Sequence, residues 1–334
     1  MKLDFYTHVF PKPFFERMSE VVENKGPIKR WLNIPVLYDM DARLAMMEQF
    51  GEYQQVLTLS APPIEFMAGP DVTPGLARLA NDGMADICKA HPDRFPCFIA
   101  SLPMNNPIEA IKELDRAITE LDARGIQIFS NVNGKPLDEP EFYPLFEKMA
   151  GYDLPIWLHP TRGPNFPDYP GEEKSKYEIW FVLGWPYETT VAMSRLVFMG
   201  LFDKLPDIKI LTHHMGAMAP FFEGRLGPGW DQLGVRTADE DYGALLESLD
   251  KRPLDYFKMF YADTALFGAQ AGTQCGVDFF GADKCLFASD CPFDPEGGPM
   301  FIRDTIKVLD RLNVTDAERE KMYLTNARRL LKLD

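Results

Sequence analysis

The sequence predicts a (β/α)8 barrel of the TIM type, and three observations carry that prediction. Eight short β-rich runs recur along the chain: LDFYTHV (3–9), YQQVLTLS (53–60), RFPCFIAS (94–101), GIQIFS (125–130), LPIWLHP (154–160), IKILTHH (208–214), KMFYADT (258–264) and KCLFASD (284–290). Stretches with helical spacing lie between them, among them DARLAMMEQFG (41–51), VTPGLARLANDGMADICKAHP (72–92), PIEAIKELDRAITELDARG (107–125) and PEFYPLFEKMAG (140–151). Gly, Pro, Asn or Asp punctuates the junctions, the arrangement that builds parallel strands with right-handed crossovers. An open doubly wound sheet would instead want a glycine-rich phosphate turn after its first strand, and THVFPKPF (7–14) offers none.

The chain has 334 residues, a length that one barrel domain can absorb, so residues 1–334 are expected to form a single unit. Long lid or interface loops are expected at about 161–190 and 226–257, after the fifth and sixth strands. Lys and Arg number 35 against 50 Asp and Glu, a net charge of −15 that repels nucleic-acid backbones and excludes them as partners. The five cysteines, Cys88, Cys97, Cys275, Cys285 and Cys291, are odd in number and without paired spacing, which reads as reduced thiols. No run approaches the ~18 uninterrupted apolar residues of a membrane span. Asp4 puts charge where a signal peptide would be apolar. The expectation is a soluble, cytoplasmic protein with no membrane partner.

The chemistry emerges when the histidines are placed on these strands. His8 ends the first, His159 the fifth, His213 and His214 the sixth, and Asp290 ends the eighth; of the five histidines only His91 lies elsewhere. In a parallel barrel the C-terminal strand ends share one mouth, so these residues converge there. Any one strand-end histidine has a plain reading as a hydrogen-bonded structural residue. Imidazoles and a carboxylate together, with no thiolate pair, match the ligands of a catalytic divalent ion with an open position. Strand alternation places Asp4 and Tyr6 on the face of His8, so Tyr6 stands where a ligand would. Its phenol can bind the ion, hydrogen-bond to a bound water or substrate, or simply fill the core.

The segments DFYTHVFP (4–11), LPIWLHP, YEIWFVLGWPYETTVAMSRLVFMGLFDKLPDIKILTHHMGAMAPFFEGR (177–225), FYADTALFG (260–268) and LFASDCPFDPEGG (286–298) resemble successive motifs of the amidohydrolase-superfamily decarboxylases typified by aminocarboxymuconate-semialdehyde decarboxylase. DARLAMMEQFGEYQQVLTLS (41–60) and GIQIFSNVNGKPLDEPEFYPLFE (125–147) extend the likeness over nearly the whole chain. The resemblance implies a barrel of the metal-dependent-hydrolase type. It further implies one divalent ion, zinc or alternatively manganese, and no organic cofactor.

By position, His8, His159 and Asp290 match the metal ligands, with Tyr6 where a further His or Glu would stand. His214 matches the catalytic strand-six histidine, and Asp290 can alternate between ligand and proton donor. His213 occupies a place where a small residue is general, and is expected behind the ligands or at an interface. Arg225 and Arg43 resemble arginines that grip a substrate carboxylate, Arg225 from a neighbouring subunit in some relatives; helix-face salt bridges are the plainer reading of both. Trp185 and Tyr6 are expected to line the substrate. Asp263 would orient His214 or pair with Arg225. The implied activity is non-oxidative decarboxylation of a small unsaturated or hydroxylated aromatic acid, in a homodimer or tetramer. A hydrolase or hydratase on the same scaffold is the alternative, and a metal-free binding protein the remoter one.

Overall fold

The computed structural model describes residues 1–22, 25–26 and 28–333. Eight parallel strands form one sheet: β1 (Lys2–Val9), β2 (Tyr53–Leu59), β3 (Phe98–Ser101), β4 (Ile126–Phe129), β5 (Ile156–His159), β6 (Ile210–Thr212), β7 (Tyr261–Asp263) and β8 (Cys285–Leu286). Their spatial order is their chain order. The sheet closes where the segment from β8 onward returns to β1: Phe5 N donates to Phe287 O at 2.8 Å, His8 N to Cys291 O at 2.8 Å and Asp290 N to Tyr6 O at 3.2 Å. The chain is therefore a (β/α)8 barrel, as its alternating pattern predicts.

Helices Thr73–Ala90, Pro107–Leu121, Tyr143–Tyr152, Gly184–Phe198, Gln270–Phe280 and Pro299–Leu309 surround it. Local chemistry sets their starts. Asn106 accepts from Glu109 N at 3.3 Å ahead of Pro107, and Asp39 accepts from Asp41 N and Ala42 N to begin Met40–Met47. Within the segment 161–190, residues from Ile179 onward are already helical, as Ile179–Val182 and Gly184–Phe198; Pro186 falls in the first turn of the latter, where it needs no amide donor. Residues 226–257 likewise carry Tyr242–Glu247, Pro253–Phe257 and most of Glu223–Trp230.

The barrel interior is filled below the mouth by Leu3, Phe5, Val56, Ile99, Trp157, Leu211 and Leu286, with Leu330 and Leu331 of the C-terminal helix Asn326–Leu331 in the same cluster. Phe5 and Trp157 stack at 4.6 Å, and Trp157 Nε1 donates to Phe5 O at 3.2 Å. This plug fixes the floor on which the polar mouth rests.

One irregularity in β1 decides which side chains reach that mouth. Asp4 pairs with Gln55 but Thr7 pairs with Leu57, so β1 carries one extra residue there. Leu3 and Phe5 face the interior, and after the bulge Tyr6 and His8 do so as well. Asp4 is thereby turned to the other face, which corrects the expectation from simple alternation. There Tyr53 OH and Ser289 Oγ both donate to it at 2.5 Å, behind the barrel wall. Burial pushes its carboxyl up to about 7, with the Ser289 and Tyr53 hydrogen bonds offsetting part of the effect.

Candidate metal and active site

Strand alternation builds the first part of the site. Trp157 and Leu211 belong to the interior plug, so His159 and His213, each two residues further on, share their inward faces. His8 joins them from β1, with ring centroids 5.5 Å from His159; His159 lies 5.1 Å from His213. Asp290 completes the group: its Oδ1 lies 2.8 Å from His8 Nε2 and 3.4 Å from His213 Nε2, and its Oδ2 3.6 Å from His214 Nε2.

The outer nitrogens of three imidazoles are committed to acceptors outside this cluster. His159 Nδ1 faces Pro160 O at 2.6 Å, and His213 Nδ1 faces Asp263 Oδ2 at 2.5 Å. His8 Nδ1 lies 3.1 Å from Thr58 Oγ1, whose own proton goes to Thr7 O at 3.0 Å, so the hydroxyl accepts from the ring. With Nδ1 donating, Nε2 is the lone-pair nitrogen of each ring in its neutral form. Nε2 of His8 and of His213 are buried, and although Asp290 lies close to both, neither makes a hydrogen bond of good geometry among the described residues. One donor atom from each of His8, His159 and His213 lies within 4.8 Å of the others, and the same holds for His213, His214 and Asp290. Orphaned imidazole nitrogens beside a carboxylate fit a divalent metal ion.

The electrostatics of His8 and His159 agree with that fit, whereas His213 must release a proton to bind an ion. Burial lowers the pKa of His8 and His159, and in His159 the neighbouring His213 and His8 depress it further, leaving lone pairs free. Burial also opposes a charge on His213, but Asp263 and Asp290 outweigh it and push its pKa up to about 9. Burial raises Asp290, and the imidazoles of His213, His214 and His8 overcome this, holding it well below the usual carboxylate range.

His214 reaches the site by a different route. Neighbouring residues of a strand face opposite sides, yet the rings of His213 and His214 lie 3.7 Å apart. The chain turns left-handed at His214 (φ 57°), Met215 (56°), Gly216 (68°) and Ala217 (56°), which swings the second ring inward. Such backbone costs roughly 1–2 kcal/mol per non-glycine residue. Asp263 Oδ1 offsets part of it by accepting from His214 N at 3.0 Å. Gly216 is required sterically too, since a Cβ there would meet Phe280 Cζ at 2.5 Å. His214 is 9 % exposed where His8 and His213 are 0 %, so it is the imidazole that meets the mouth.

Tyr6 packs its ring 4.1 Å from His213 and 5.1 Å from His8. Its hydroxyl donates to Gln127 Oε1 at 2.8 Å, and Gln127 Nε2 in turn donates to Leu59 O at 2.9 Å. Burial, with Asp263 and Asp290 adding to it, holds the phenol neutral. Trp185 stands edge-on to His159 at 5.4 Å, anchored by its Nε1 to Arg162 O. Asp263 acts on both strand-six histidines, through the ring of His213 and the amide of His214; it is fully buried and makes no ion pair with Arg225 among the described residues.

The two arginines lie away from the cluster. Arg43 is fully buried behind β1 and donates to Gln55 Oε1, His8 O, Val36 O and Thr7 Oγ1, so it braces the strand of His8 where the resemblance implied a carboxylate grip. Arg225 is exposed on helix Glu223–Trp230 and lines a surface cleft with Tyr187, Arg236 and Tyr242. Sequence reasoning passed over Thr58 and Gln127, polar residues inside apolar strands. It also set His213 behind the ligands, although the two-residue step from Leu211 was a signal for its inward aim.

A family model described as amidohydrolase matches residues 16–333. A gamma-resorcylate decarboxylase of Rhizobium sp. (strain MTP-10005) is 32 % identical over 309 residues, covering 88 % of this chain and 87 % of the relative. The 2-amino-3-carboxymuconate-6-semialdehyde decarboxylase of Dictyostelium discoideum is 31 % identical, covering 77 % of this chain and 67 % of the relative. A dihydroxybenzoic acid decarboxylase from Polaromonas sp. JS666, solved with bound manganese and the inhibitor 2-nitroresorcinol, superposes with a TM-score of 0.77 at 26 % identity, covering 99 % of this chain and 97 % of that one. With its barrel, its histidine-rich mouth and a family match over almost its full length, the chain belongs to the amidohydrolase family.

Proposed function

We propose that this enzyme is a metal-dependent, non-oxidative decarboxylase of a hydroxylated aromatic or related unsaturated carboxylic acid. The observation that carries the reading is the gathering of His8, His159 and His213 at the barrel mouth, with Asp290 beside His8 Nε2 and His213 Nε2, in a chain whose relatives are named decarboxylases. His8, His159, His213 and Asp290 would hold the ion. A divalent ion bound there supplies Lewis acidity toward substrate oxygens. Zinc is our first candidate from the imidazole-rich donor set, and manganese, present in the Polaromonas structure, is the alternative.

Loss of CO2 leaves its bonding electrons on the ring carbon, so a proton must reach that carbon before the bond breaks. His214 is placed to deliver it: its ring meets the mouth and its Nε2 lies 3.6 Å from Asp290 Oδ2. Burial and the neighbouring His213 lower its pKa, which makes its protonated form a stronger acid than free imidazolium. When the C–C bond breaks, the electron pair restores the aromatic ring and CO2 departs. Trp185 forms an aromatic wall beside His159 for the substrate ring.

The positive focus for an anionic substrate would come from Arg225 of a second copy. Exposed Tyr187, which lines the cleft of Arg225, and exposed Phe221 and Val235, next in sequence to the cleft residues Phe222 and Arg236, support self-association there. We place the enzyme in the cytoplasm on its unpaired cysteines; no described helix is long and apolar enough to cross a membrane. The test is CO2 release from a panel of hydroxybenzoates and muconate-type acids by protein of measured metal content. Hydrated or hydrolysed products without CO2 would replace the decarboxylase reading, and light scattering would report the oligomeric state.

A further inference from the structure

Away from the histidines, the mouth holds a buried acid that the proposed chemistry does not use. Glu65 lies in the short helix Ile64–Met67 after β2 and is 4 % exposed. Its Oε1 has no hydrogen-bond partner among the described residues. Asn133 Nδ2 donates to the Glu65 main-chain oxygen at 3.0 Å, which pins the backbone while the side chain lines a small cavity. That cavity sits at the ends of β2, β3 and β4, with Ser60, Ser101, Met104, Gln127 and Phe129 among its walls. Two of those walls also belong to the histidine cluster. Gln127 accepts from Tyr6 OH at 2.8 Å, and the Phe129 ring lies 5.0 Å from His159.

Among the described residues no cationic side chain lines the cavity to balance a carboxylate. Burial pushes the Glu65 carboxyl up to about 8, so at neutral pH it is mainly a neutral acid with one O–H donor and one carbonyl acceptor. Gln127 has both ends of its amide engaged, to Tyr6 and to Leu59. An unpaired polar atom at this depth is costly, and a substrate group that satisfies it must bring a hydrogen-bonding function to the Glu65 side of a cavity whose Gln127 amide is already engaged. A ring hydroxyl or amine does so, whereas a methyl group of similar size does not.

We infer that Glu65 is a specificity-determining residue that hydrogen-bonds a hydroxyl or amino substituent on the side of the substrate ring facing β2–β4, across the mouth from His214. The assignment rests on the proposed decarboxylase reading for the nature of the ring, but the hydrogen bond is measurable without turnover. Sites built to bond a polar substituent discriminate strongly against analogues lacking it.

The test is calorimetric binding of benzoate and its 3- and 4-hydroxy, 3- and 4-amino and 3- and 4-methyl derivatives. The proteins are metal-loaded wild type, Glu65→Gln and Glu65→Leu, each checked for its melting transition, with Glu65→Met replacing the leucine variant if that one does not fold. Wild type should bind a hydroxy or amino isomer at least ~10-fold tighter than the matching methyl compound. Glu65→Gln should keep most of that preference, because the amide still donates and accepts. Glu65→Leu should lose it while binding benzoate as before. Whether the hydroxy or the amino series is preferred tells which substituent is read. A leucine or methionine variant that discriminates like wild type, or a wild type without preference or without binding, overturns the inference. CO2 release from the wider panel of hydroxybenzoates and muconate-type acids is followed with the same proteins: preferential binding here with no CO2 from any acid of that panel would remove the decarboxylase reading and leave the role of Glu65 standing.

Discussion

Replacing Glu65 by glutamine removes an ionisable group from a position that is 4 % exposed and has no ion-pair partner among the described residues. Burial raises its folded-state pKa from 4.5 to about 8, whereas in the unfolded chain it returns to the ordinary value. Between those two pH values the folded protein keeps a proton that the unfolded chain has released, so stability falls as pH rises. The contribution is fully present below pH 4.5 and is lost as pH climbs through the folded-state value. At about 1.4 kcal/mol per pH unit, the loss between pH 5 and pH 8 is roughly 3–4 kcal/mol. Glutamine carries no such dependence. For 334 residues the unfolding entropy converts that difference into about 5 °C of melting temperature. Thermal melts of metal-stripped wild type and Glu65→Gln across pH 5–8.5 should therefore diverge, with the variant gaining about 5 °C on wild type over that range. Every other titrating group is common to both proteins and cancels in the difference. Parallel curves would show that Glu65 ionises normally, and the argument from its burial would fail.

Three further outcomes follow from the site. His213→Ala should lose most of its metal on dialysis, measured by elemental analysis, while His214→Ala should keep the metal and lose roughly 10²–10⁴-fold in turnover; full metal content in His213→Ala would remove it from the ligand set. Tyr6→Phe should retain the metal but lower stability by about 1–3 kcal/mol in denaturant titrations, because Gln127 Oε1 loses its donor; metal loss would instead make the phenol a ligand. Arg43→Met should destabilise by about 3 kcal/mol or more, since Gln55, Thr7, His8 and Val36 each lose a donor. A normal melting temperature with a raised KM for carboxylated ligands alone would restore Arg43 to the substrate.

The order of elements, the barrel closure and the positions of His8, His159 and Asp290 were legible because each depends on local pattern: apolar runs of strand length, helical spacing between them, and a parallel barrel that brings all strand ends to one rim. The face that each residue presents was less legible. A bulge between Asp4 and Thr7 sends Asp4 behind the wall and leaves Tyr6 with His8, and nothing in LDFYTHV marks the inserted residue. His213 and His214 both face inward only because a left-handed turn, bonded to Asp263 across 49 residues of chain, reverses the alternation at a single position. Arg43 looks like a mouth residue in sequence, yet its guanidinium is consumed by partners on β1 and β2. Glu65 gave no signal at all, because an acid in a loop reads as solvated until the fold buries it. The sequence by itself determined the barrel and the gathering of His8, His159 and Asp290 at its mouth, through periodicity and spacing. Only the tertiary structure decided which donors are left unpaired, since that depends on contacts between strands and loops far apart in the chain.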